Sequence, residues 1–135
     1  MKTRIWLLGA LLSGLALSSP GPCRAEAVVP PAEAQRAVVV RDVMVQEGSV
    51  SGTVVNRSSA TVRAVSLRLE QEWQWSDERH PGADSPGRTL SFTLPGDVAP
   101  SSTAQFRFDT PRLPARTDGT FVSSMDVSGF TEVRP

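Results

Sequence analysis

His80 is the only histidine of the 135-residue chain, and Asp77, Glu78, Asp84 and Ser85 surround it. A histidine beside carboxylates could hold a metal or serve as a general base. The spacing argues against both. Calcium loops place several oxygen ligands at fixed intervals, and Asp-Glu-Arg-His-Pro-Gly-Ala-Asp does not follow them. Zinc usually takes more than one histidine or cysteine. A serine triad would have to use His80, and no Gly-x-Ser-x-Gly elbow is present. Paired-carboxylate chemistry wants a cleft, and the chain has no insertion to form one. The expectation is a solvated loop, with no catalytic residue, no metal and no cofactor.

Trp73 and Trp75 are the other residues with chemical potential. They share strand parity with Leu67 and Leu69, which points them into a core. The alternative is an exposed aromatic platform. With Asp77, His80 and the loop at 76–88, it would stack on a carbohydrate, a small ligand or a partner protein.

These residues need a scaffold, and the chain first indicates where that scaffold goes. Lys2 and Arg4 precede an apolar run over residues 5–17. Pro20 and Pro22 end any helix there. Ala25-Glu26-Ala27 supplies small residues for a signal peptidase. Residues 1–27 therefore read as a cleavable signal peptide, cut after Ala25 or Ala27. The run is short of the ~20 apolar residues of a membrane span, so none is expected after processing. A lipid-modified cysteine would need small residues before it. Pro20-Gly21-Pro22 precede Cys23, so lipoprotein anchoring there is not expected. The destination is the periplasm or the cell exterior.

Cys23 is the only cysteine and leaves with the signal. An exported domain without disulfides suits a bacterial envelope. The remainder is about a hundred residues, the size of one domain. Removal of the signal leaves 11 basic and 13 acidic residues, and the arginines are scattered singly. No basic patch exists for nucleic acid or for an anionic membrane surface.

Residues 28–36, with Pro30, Pro31, Ala32 and Ala34, read as a Pro/Ala-rich linker. Domain sequence then runs over 37–135. Val39, Val43 and Val45 share one parity, and Glu47-Gly48 marks a hairpin. Val50, Gly52, Val54 and Asn56 alternate with polar residues. The cleanest period of two runs through Val65, Leu67, Leu69, Trp73 and Trp75. Leu90, Phe92 and Leu94 form another strand, and Ala104, Phe106 and Phe108 a further one. Phe121, Met125, Val127 and Val133 form the last, with Gly129 marking a kink or bulge. No window has helical spacing. The pattern predicts an all-β, antiparallel sandwich of six to seven strands.

The segment Val50-Ser51-Gly52-Thr53-Val54-Val55-Asn56-Arg57-Ser58 has a further cadence. Glycine, valine, asparagine and serine fall at every second position, at Gly52, Val54, Asn56 and Ser58. It resembles the FxLYD-type and related extracytoplasmic immunoglobulin-like domains of bacteria. The resemblance implies a β-sandwich of the cell envelope without an active site. Together with the lack of catalytic chemistry, it leads to the expectation of a binding or accessory module whose partner is another envelope or secreted protein. In such a domain Asn56 would close a turn, and Gly52 would permit close packing or a bulge.

Overall fold

Alternation of apolar and polar residues produces the longest strands, because one face of each is dry and the other wet. The computed structural model describes residues 25–77, 79 and 84–134. His80, Cys23 and all but the last three residues of the expected signal peptide over 1–27 lie outside the described residues. Seven strands form: β1 (Ala25–Val29), β2 (Val38–Gln46), β3 (Ser49–Asn56), β4 (Thr61–Trp75), β5 (Arg88–Thr93), β6 (Thr103–Asp109) and β7 (Gly119–Arg134). One sheet has the order β1-β7-β4-β5 and the other β2-β3-β6, with every pairing antiparallel. The molecule is an all-β sandwich.

The interior lies between the sheets. Val65, Leu67 and Leu69 of β4, Val54 of β3, Phe106 of β6 and Val127 and Phe130 of β7 are all buried there. Gly52 stands beside the Phe106 ring. A Cβ at that position would come within 2.8 Å of the ring, so the Phe106 ring can lie over the β3 backbone there only because no side chain stands in its way. The Glu47-Gly48 turn joins β2 to β3, with Gly48 at φ 79°.

Two parts of the sequence reading are corrected. Residues 28–36 are not an extended linker. Val28 and Val29 pair with Thr131 and Phe130, and α1 (Pro31–Ala37) follows. β7 offers edge amides and carbonyls that need partners, and proline is well tolerated in the first turn of a helix. Ala34 is fully buried in the core, so packing rather than helical propensity holds this short turn.

The parity of β2 is the second correction. Val38 is buried and Val40 partly so, whereas Val43 is exposed. Asp42, at φ 54°, sits in a register shift between Arg41 and Met44. One extra residue flips the strand, so Val39 and Val43 do not share the inward face with Val45.

Similar bulges tie β4 to β7. Ser66 pairs with Gly129 and Leu67 with Val127, leaving Ser128 over. On β4 the register also shifts between Arg63 and Ser66, where Ala64 has φ 50°. A left-handed backbone costs an L-residue about 1–2 kcal/mol and glycine almost nothing. Ala64→Gly is therefore expected to raise stability by about 0.5–1 kcal/mol, after the larger unfolded-state entropy of glycine is subtracted. Urea denaturation measures it, and a loss of stability would show that the bulge is not strained.

Candidate functional site

At one end of the sandwich the last rungs of β4 and β7 pair Trp73 with Phe121 and Trp75 with Gly119. The Trp73 and Phe121 rings lie 4.6 Å apart, edge to face, and Trp73 meets Trp75 at 5.8 Å. Gly119 makes room for this. A Cβ there would meet the Trp73 ring at 2.6 Å and would run into the Gln74 carbonyl. Trp73 is only 6% exposed, while Trp75 is half-buried.

The loop entering β7 covers the pair. The Arg116 guanidinium lies 5.2 Å from the Trp73 ring centre and 5.3 Å from that of Trp75, as a cation over two π faces. Its Nε donates to Asp118 Oδ1 at 2.9 Å. That bond raises the guanidinium pKa above its ordinary value and keeps the charge in place. The Ser76 amide donates to the Asp118 carbonyl, fixing the loop to the end of β4. One indole group is left over: the buried Trp73 Nε1 has no hydrogen-bond partner among the described residues.

A cleft of about 370 Å³ opens beside this cluster. Val45, Gly48, Pro111 and Leu113 line it with Gln71 and Arg88. Gln71 is buried on the inward face of β4. Its Oε1 accepts from Arg88 Nε at 2.7 Å, and Arg88 Nη2 donates to the Pro111 carbonyl. The pair thereby latches the loop after β6 to the opposite sheet. The sequence reading places Arg88 at the end of the 76–88 loop and assigns nothing to Gln71. A glutamine at an inward position between Leu69 and Trp73 was the available signal, because buried polar groups need partners.

Of the four residues with potential contacts, the structure brings Trp73 and Trp75 together. Asp77 is exposed, and its Oδ1 accepts from the Arg79 amide at 3.0 Å, closing a local turn. His80 lies outside the described residues.

The other unusual surface is a strand edge. β4 pairs with β7 along nearly its whole length, from Thr61↔Val133 to Trp75↔Gly119. β1 takes the opposite edge of β7 only from Phe130 to Arg134. Among the described residues no strand pairs with that edge over 119–128. Residues 119–125 carry no charge, proline or bulge, the usual guards of an open edge, and Asp126 and the Ser128 bulge lie only at its far end. The other edges differ. β2 has its Asp42 bulge, β6 carries Arg107 and Asp109, and β5 is six residues long between Pro86 and Pro95. Beside the open edge, Val38–Val40 and Met125–Val127 line a groove of about 280 Å³ with Gln35.

Comparison with known proteins gave no match to a family model, to a curated protein or to a solved structure.

Proposed function

We propose that this chain is an exported, non-catalytic, immunoglobulin-like domain that binds another protein of the bacterial envelope by accepting a strand on β7. The sheet order supports the immunoglobulin comparison. With β2, β3 and β6 as strands A, B and E, β4 takes the place of C and β7 that of F. The position beside F belongs to strand G. Here β1 fills it from the amino-terminal side, and for five residues only. The stretch of the β7 edge over 119–128 that no described strand pairs with, exposed at Val122, Ser123 and Ser124, is the observation that carries the proposal. Strand addition draws its affinity from main-chain hydrogen bonds and needs no side-chain motif.

Other features agree with it. The Gly52, Val54, Asn56 and Ser58 cadence resembles that of extracytoplasmic domains. Of the eleven arginines from Arg36 onward, five (Arg63, Arg68, Arg112, Arg116 and Arg134) each face an acidic side chain, which offsets part of the positive charge that nucleic acid would need. Among possible processing sites, cleavage after Ala25 keeps Glu26, whose Oε1 accepts from Arg63 Nη1 at 2.8 Å. The tryptophan rings are engaged with Phe121 and Arg116, so the strand edge is preferred to a sugar platform.

A photo-crosslinking residue at Val122, introduced in the native envelope, tests the proposal. The expected result is an adduct with a different protein, identified by mass, and no such adduct from the same probe at Ser91 on β5. Equal labelling from both positions, or none from Val122, overturns it.

A further inference from the structure

We infer that the open β7 edge also accepts a second copy of itself, forming a symmetric antiparallel pair centred on Ser123. The inference rests on the reading of that edge as a strand acceptor. It adds that the homodimer and the complex with another protein exclude one another.

Geometry fixes the centre. Directly opposed residues of an antiparallel pair lie on the same face of the sheet, so residue i must face a residue of equal parity in its partner. The pair must stay within 119–128, because β1 occupies β7 from Phe130 onward. A centre at Val122 would set Asp118 against Asp126 of the partner subunit. A centre at Ser124 would set Val122 against Asp126 of the partner subunit and carry Gly119 to position 129, where the Val29 carbonyl stands close. A centre at Ser123 avoids all three conflicts. It opposes Phe121 to Met125 of the partner subunit on the inward face. On the outward face it opposes Val122 to Ser124 of the partner subunit and Thr120 to Asp126 of the partner subunit.

The residues suit this contact. Val122 is 44% exposed although apolar, and no like charges meet across the two-fold axis. Both strands are already extended and paired with β4 on their other side. Self-pairing therefore avoids the chain-ordering cost that a disordered peptide would meet. The result is one continuous sheet running through two molecules.

Val122→Lys/Ser124→Lys is the discriminating variant. Within one molecule the new lysines face Glu72 and Glu70, which lie opposite Val122 and Ser124 on β4, so the fold keeps its cross-strand charge balance. Across the two-fold axis the lysines face each other. Sedimentation equilibrium of the exported protein should give twice the chain mass, and the double variant should give the single mass with an unchanged circular dichroism spectrum. A second variant is independent of charge. Ser123→Cys, in a chain also carrying Cys23→Ser, should form a disulfide-linked dimer on mild oxidation, whereas Thr120→Cys should not. A dimer that survives the lysine pair overturns the inference, as does a protein monomeric at millimolar concentration whose Ser123→Cys variant forms no cross-link. If that monomer still yields the heterologous Val122 adduct, self-pairing fails and strand acceptance stands. If the adduct is missing too, both fail.

Discussion

Asn56→Asp is expected to cost about 3–5 kcal/mol at neutral pH, the range for leaving a charge uncompensated in a protein interior. Asn56 is fully buried at the end of β3. Its Nδ2 donates to the carbonyls of Ala60 at 2.8 Å, Val98 at 3.0 Å and Ala99 at 3.1 Å. Its Oδ1 accepts from the Ser58 amide at 2.9 Å and the Ser58 hydroxyl at 2.7 Å. One side chain thus joins the end of β3, the turn after it and the segment leading to β6. Aspartate has the same shape, but it turns an oxygen toward three carbonyl oxygens. Those dipoles and the burial oppose ionisation, so the folded-state pKa of the new carboxyl lies above its unfolded value of about 3.9.

The sign of the pH dependence follows. Below the unfolded pKa the carboxyl is neutral in both states, and the penalty is smallest. As pH rises from there, the unfolded state ionises first and the native state loses ground, until the folded pKa is passed. The gap between wild type and Asn56→Asp in urea denaturation should therefore widen between about pH 4 and pH 7. Asn56→Ala serves as control: it should cost about 2–4 kcal/mol from unmet carbonyls and lost packing, with no widening. A gap for Asn56→Asp that is constant with pH would sink the account of which atom faces the carbonyls.

Trp73→Ala is expected to cost about 3–5 kcal/mol, the range for truncating a buried aromatic. It removes the ring that Phe121, Trp75 and Arg116 all contact. Trp73→Phe should cost about 1 kcal/mol or less. The smaller ring loses contact area, but the buried indole N–H has no partner among the described residues, and removing an unmet donor recovers part of its desolvation penalty. Thermal or urea unfolding of the two variants gives the comparison. Near-equal losses would mean that the indole nitrogen has a partner after all, such as a bound water.

How much of this could be read in advance depends on whether contacts are periodic. β4 is legible because its inward face alternates from Val65 through Leu69 to Trp73, with Gln71 the one polar member. The two-sheet architecture follows from several such runs. β2 departs from its expected parity where the Asp42 bulge breaks the alternation, since a single added residue leaves no mark in composition. Phe130 escapes the sequence pattern because the bulge at Ser128 moves it out of parity with Val127 and into the core. The short helix and β1 are invisible for another reason. Pro30, Pro31 and the alanines have no pattern of their own, and only the distant β7 gives them order. Asn56 is legible as a turn former. Its bonds to Val98 and Ala99, more than forty residues away, are not. The contacts of the Trp73 cluster with Arg116 likewise depend on a loop whose path no local signal encodes.

The pairing of β1 with β7 joins Glu26 to Val133, from one end of the described strands to the other. A chain synthesised amino end first makes β1 before every other strand and its partner after them all. Closing so wide a loop carries the largest entropic cost of any contact in the fold, and long-range pairings of this kind form slowly. The first strand is therefore expected to dock last, after its neighbours have assembled. During that interval the whole β7 edge stands open, not only residues 119–128, and a newly made molecule is at its most adhesive just before it completes itself.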